Sequence, residues 1–315
     1  AGGLKTDASV TLTGGTINIT GNNALGFYLK GNTNFSGTGT INVSGQGVTI
    51  FNLNTAPAMT FNNAFTINTV GSGTYTLGSI SNGTYYYNST ATPLSSNGAM
   101  IAGKNSAILY DTSANISSTG NNNIGIYVDG VYATLPTTIS GVTVSSEATN
   151  KGTITFNDSS AGLYGLNGAS VDNAGGTITL GNNSTGIYAS GATSNAVNSG
   201  TITIGQGSQG IYLKDGMTAD NAGGIIQSTG AKTTGIYTDN VSNPITNSGL
   251  INLSGDKSIG IYTAGASAKT ITNTGTIKIG NSSDLNDPSI GIYTKAIGDT
   301  ITNTGTIDSG KKSIG

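Results

Sequence analysis

The 315-residue chain contains no cysteine, no histidine, no tryptophan and no arginine. Without cysteine there is no disulfide framework, no thiolate nucleophile and no cysteine-ligated zinc. Without histidine there is no Ser-His-Asp triad, no imidazole base and no histidine-bound metal. Without arginine there is no bidentate fork for phosphate or guanine. Charge is scarce as well: 8% of residues carry one, Lys supplies all 12 bases, and Glu147 is the only glutamate among 14 acids. A net charge of −2 with no basic stripe argues against nucleic acid. No apolar run approaches the roughly 20 residues of a membrane-spanning helix, and no charged-then-apolar export leader opens the chain. These gaps predict a protein that is not an enzyme and has no cofactor, no metal and no catalytic residue.

Glycine, in contrast, fills 50 positions, and many of them are periodic. A Gly-Thr-Ile-like element starts at Gly15, Gly39, Gly152, Gly176, Gly200, Gly224, Gly249, Gly275 and Gly305. From Gly152 onward the steps are 24, 24, 24, 25, 26 and 30 residues. A Gly-Ile-Tyr-like element begins at Gly26, Gly125, Gly162, Gly186, Gly210, Gly235, Gly260 and Gly291. A third element reads Ile-Thr-Asn at Ile245, Ile271 and Ile301, with variants at Val171 and Val197. Asn281–Ser289 is an insertion that lengthens the last step.

Within the first element the second residue after glycine is always apolar and the third always polar, as in Ile202 and Thr203. That period of two predicts a half-buried strand. A unit of three short strands cannot bury its apolar side alone and must stack on its neighbours. The expected fold is therefore all-β: a right-handed parallel β-helix, a three-sided solenoid with about 24 residues per coil. Roughly 13 turns at about 4.8 Å give a rod near 60 Å long. A propeller blade needs about 40–50 residues, and the leucine-rich repeat pattern is missing.

Three regions follow: N-terminal coils over 1–50, irregular coils with insertions over 51–150, and the regular repeat over 151–315. The whole is expected to be one continuous solenoid and a fragment of a larger protein. In the irregular region a Gly-Thr-Tyr element at Gly73 and the Ala-Ile-Leu-Tyr of Ala107 fall off the 24-residue spacing. A second interruption runs from Val128 to Asn150.

Four groups of residues are candidates for function. Tyr127, Tyr164, Tyr188, Tyr212, Tyr237, Tyr262 and Tyr293 form one column; with isoleucine inward they point outward, either to stack on sugars or on one another. Asn150, Asn173, Asn198, Asn221, Asn247, Asn273 and Asn303 form a second, read as a structural amide ladder. Asp215 with Asp220, and Asp284 with Asp287, are acid pairs of the kind that hydrolyse glycosides or ligate calcium, though solvated turns suffice to explain them. Tyr85, Tyr86 and Tyr87, with Tyr110 nearby, are the favoured ligand-binding surface, since tyrosine-rich loops supply rigid anchors.

The strings NSGTITIGQGSQGIYLKDG from Asn198, ITNSGLINLSGDKSIGIYTAG from Ile245 and ITNTGTIKIGNSS from Ile271 resemble the passenger repeats of fusobacterial autotransporter adhesins. The resemblance covers Gly152 to Gly315, with weaker echoes at Gly15, Gly39 and Gly125. It implies a β-helix exported by type V secretion and held on the cell surface, outside the outer membrane, with a role in virulence. The partners it implies are host-cell glycans or surface receptors and other bacteria. It implies no nucleic acid and no membrane contact for this segment, which is expected to be a monomeric rod. A stalk that only spaces binding domains is the alternative, and a glycan-cleaving β-helix enzyme a more distant one: the lyases and hydrolases of similar fold use an arginine or histidine that has no counterpart here.

Overall fold

The computed structural model describes residues 8–30, 33–54, 59–69, 74–87, 97–241, 244–265, 269–295 and 298–315. Gly73 lies outside them. Among the described residues there is no helix, and all but one of the strand pairings are parallel. Each coil of the regular region runs through a Gly-Thr-Ile strand, a Gly-Ile-Tyr strand and an Ile-Thr-Asn strand. Like strands of successive coils pair into three sheets. The Thr-Ile sheet has 8 strands, the Tyr sheet 12 and the Asn sheet 9. The right-handed parallel β-helix expected from the repeat is the fold observed. Twelve strands at about 4.8 Å span roughly 53 Å, shorter than thirteen turns would give.

Register is one residue type upon itself. Ile154, Ile178, Ile202, Ile226, Ile251, Ile277 and Ile307 pair in sequence up the Thr-Ile sheet. In Thr177–Leu180, Ile178 and Leu180 are buried and the threonines half-buried. In Thr185–Ser190, Gly186, Ile187 and Ala189 are buried while Tyr188 faces out. The isoleucines fill a narrow core, each contributing roughly 1.5–3 kcal/mol.

Two polar columns run inside the corners. In the first, each asparagine amide donates to the next: Asn150 to Asn173, Asn173 to Asn198 and Asn198 to Asn221, all at 2.8 Å. It continues through Asn247 and Asn273 to Asn303 at 2.7 Å per step. The second column precedes Gly-Ile-Tyr. There a backbone N–H donates to the hydroxyl of the next coil, as from Ser160 to Ser184 at 3.1 Å and Ser184 to Ser208 at 2.9 Å. The buried polar groups of these two columns are thus paired coil to coil rather than left to water.

The sequence irregularity of 51–150 does not break the solenoid. Phe51, Gly78, Ile101 and Ile126 occupy one column of the Tyr sheet, 27, 23 and 25 residues apart. At the N-terminal end the coils differ: Ala8–Ile19, Thr33–Val43 and Met59–Thr69 each run as one long strand where later coils have two. Among the described residues a further departure is an excursion after Gly130, the one place where strands pair antiparallel. Thr137–Ile139 and Val142–Val144 form an antiparallel hairpin. Its two central residues, Ser140 and Gly141, have φ of 50° and 83°, as a type I′ turn requires.

Candidate functional site

The outward-facing, half-buried Tyr ladder is set by strand alternation: burying isoleucine forces the next side chain outward. Ring centroids from Tyr127 to Tyr293 are 5.9, 4.5, 5.1, 4.6, 5.0 and 5.3 Å apart. Most pairs are stacked; Tyr188–Tyr212 and Tyr212–Tyr237 meet edge to face. Each contact contributes roughly 0.5–1.5 kcal/mol. Ring faces are therefore largely occupied by neighbouring rings, and the ladder offers solvent mainly edges and hydroxyls. Burial within the ladder, with Tyr237 and Tyr188 on either side, pushes the Tyr212 phenol up to about 12. The ammonium of Lys295 lies 5.6 Å from the centre of the Tyr262 ring.

The cluster expected to bind ligand lies inside instead. Thr84–Tyr87 is a strand of the Asn sheet, with Tyr85 against Ile108, Tyr86 against Leu109 and Tyr87 against Tyr110. Tyr85 and Tyr110 are fully buried and Tyr87 is 3% exposed, so none of the three rings is a contact surface. Tyr110 Oη donates to the Gly125 carbonyl at 2.7 Å. The Tyr85 ring reaches across the core towards Gly78, which stands where other coils carry an isoleucine or phenylalanine. A large ring on one sheet is matched by a missing side chain on the opposite sheet. Tyr86 does face outward but is covered. It packs with Leu109 against Ile139 and Val144 of the hairpin, with Tyr132, Leu135 and Val142 at the margin. Its hydroxyl donates to Asp111 Oδ2 at 2.6 Å, and this bond holds the Asp111 carboxyl below its ordinary range.

The excursion is pinned by the lone glutamate. Glu147 Oε1 accepts from the Tyr132 N–H at 3.0 Å, and Oε2 accepts from the Ser170 N–H of the next coil at 2.7 Å. Glu147 is 2% exposed. One carboxylate thereby fixes the start of the excursion to the solenoid wall. Beside it opens a groove of about 460 Å³, lined by Asn82, Asn105, Val131, Tyr132, Ala133 and Thr134. No motif pointed to this groove, because its residues come from three separate turns.

Three of the four acids in the acid pairs are occupied locally. Asp220 accepts from the Thr246 hydroxyl, and Asp215 takes a turn conformation with φ 51°. In the insertion Asp287 pairs with Lys257 at 2.9 Å and Asp284 accepts from the Asn286 N–H at 2.9 Å. Among the described residues no group of three acids is placed to hold a metal ion.

The profile of the BigA third pectate lyase-like domain matches residues 8–230 and 203–313. The chain belongs to this family. The match supports a β-helical segment of a bacterial surface protein. Its lyase-like label describes the fold and makes no statement about catalysis. No curated protein and no solved structure matches the chain.

Proposed function

We propose that this chain is a non-enzymatic adhesin segment: a β-helical passenger that carries binding features on its outer wall, away from the bacterial surface. The observation that carries the reading is the unbroken register of the Tyr sheet through 12 strands. Amide and hydroxyl columns inside the corners tie each coil beyond Asn150 to the next and make that part of the rod resist bending. On such a rod, surface excursions are the natural recognition elements. Among the described residues, the excursion after Gly130 and the insertion at Asn281–Ser289 are such elements. The repeat strings further support an autotransporter of the fusobacterial type, exported by type V secretion, with host-cell glycans or receptors and partner bacteria as targets.

Beads coated with the purified chain test this against host cells and partner bacteria. Attachment is the expected result. No attachment, with adhesion retained by the parent protein lacking this segment, leaves a spacer. That second reading draws on the burial of Tyr85, Tyr87 and Tyr110 and on ring faces used up within the Tyr ladder. Release of oligosaccharides from host or microbial polysaccharides would overturn the non-enzymatic reading.

A further inference from the structure

We infer that the groove between the excursion and the corner turns is a binding site for a neutral saccharide. The inference rests on the adhesin reading and gives it a site and a ligand class. Four features of the groove argue for it.

The first is size. A volume of about 460 Å³ falls in the range of roughly 300–1,000 Å³ typical of small-molecule sites. Residual curvature of the solenoid wall does not produce it; the excursion supplies one bank and two stacked turns the other.

The second is the supply of paired donors and acceptors. Asn82 and Asn105 occupy equivalent left-handed turn positions in successive coils, with φ of 54° and 45°. Their backbone N–H groups are committed to the Lys104 and Asp129 carbonyls at 2.9 and 2.8 Å, which fixes where the side chains emerge. Asn105 Nδ2 leans on Asn82 Oδ1 at 3.4 Å. That leaves Asn82 Nδ2 as a donor and Asn105 Oδ1 as an acceptor that also packs against Gly130. A sugar hydroxyl both donates and accepts, and a donor–acceptor pair satisfies both of its capacities.

The third is an immobilised aromatic ring. Tyr132 lines the groove and also packs on the cluster of Tyr86, Leu109, Ile139 and Val144. Its backbone is held by Glu147. Unlike the rings of the ladder, it is not sandwiched between two others. An aromatic surface fixed in advance loses little entropy when the apolar C–H face of a pyranose packs on it.

The fourth is charge. No carboxylate or ammonium lines the groove, so neither a carboxylated sugar nor a charged peptide finds a counter-ion there.

The test titrates the purified chain by calorimetry and saturation-transfer NMR with galactose, N-acetylgalactosamine, glucose, mannose, fucose and sialic acid. The same proteins are run in the bead attachment assay. Asn105→Gly removes the amide while keeping a residue that accepts positive φ. Tyr132→Leu removes the ring while keeping an apolar group against the hairpin cluster. At least one neutral sugar is expected to bind, and each variant is expected to weaken it at least about tenfold with unchanged melting. Unchanged sugar binding in both variants overturns the groove as the site. Attachment to cells without binding of any neutral sugar overturns the saccharide class and leaves the adhesin reading standing. Attachment abolished only by protease treatment of the target cells, with no competition by sugar, also overturns it in favour of a protein receptor. Sugar binding lost in the variants, with no attachment by wild type, upholds the groove and sinks the adhesin reading.

Discussion

Gly186 lies against Ile202 of the following coil, so closely that a β-carbon on the glycine would stand 2.6 Å from Ile202 Cγ2. The same β-carbon would be 2.5 Å from the Gly210 carbonyl oxygen. Gly162 with Ile178, Gly210 with Ile226 and Gly235 with Ile251 repeat the arrangement. The two signature motifs are therefore one device: the glycine of one coil makes room for the isoleucine of the next. Gly186→Ala is expected to destabilise the rod by about 1–3 kcal/mol through overpacking. In an Ile202→Ala background the same glycine change should cost less, though not nothing, since the clash with backbone remains. A double-mutant cycle of denaturation midpoints measures it, and strictly additive effects would contradict the contact.

The amide column predicts a different kind of failure. Asn198 accepts from Asn173 and donates to Asn221, both at 2.8 Å, and is fully buried. Asn198→Leu keeps the number and branching of side-chain heavy atoms but leaves the Asn221 carbonyl oxygen without its donor. The expected loss is about 1–3 kcal/mol for a buried group left unsatisfied. Asn198→Asp should cost more, because its carboxylate would face that same oxygen. Thermal melts of the two variants check the order, and equal melting of wild type and Asn198→Leu would refute it.

Glu147 gives a local prediction. Glu147→Gln replaces one accepting oxygen by an amide that donates, so either Tyr132 N–H or Ser170 N–H loses its partner. The excursion should open while the solenoid persists, because each coil depends mainly on its neighbours. Limited proteolysis should then cut within residues 131–146 faster in the variant than in wild type. Amide exchange should rise in the same stretch and not in the regular coils beyond Gly176.

The repeat made the sheets, the inward isoleucines and the asparagine column legible, because identical residues at one pitch must stack. It also held a column that was readable but overlooked: Ser160, Ser184, Ser208, Thr233 and Ser258 each stand two residues before Gly-Leu-Tyr or Gly-Ile-Tyr. Other features left no periodic trace. Tyr85 and Gly78 exchange volume across the core, so the coil keeps its cross-section while losing its motif. Three consecutive tyrosines then look like a loop. Tyr85 and Tyr87 are in fact buried in the solenoid core, and the hairpin buries Tyr86, the one that faces out. The groove was invisible for a related reason: Asn82, Asn105 and Tyr132 meet only because the excursion folds back over two earlier coils.

Asp172 carries the pH dependence. It stands between Thr149 and Val197 in the Asn sheet, and its Oδ1 is buried without a hydrogen-bond partner. Burial raises its pKa from 3.8 to about 6, and Lys151 opposes the rise. Because the folded state disfavours the charged form, the stabilising situation is the protonated one. It is fully present below about pH 4 and is lost as pH rises through about 6. Asp172→Asn keeps the shape and removes the charge. Its stability should match that of wild type near pH 4 and exceed it by about 1–3 kcal/mol at pH 7. Comparing the two proteins at each pH cancels the opposite contribution of Asp111, whose carboxyl is held low by Tyr86. Denaturation midpoints from pH 4 to 8 decide it: parallel curves would show that Asp172 is fully solvated, and a variant weaker at pH 7 would show that its charge has a partner.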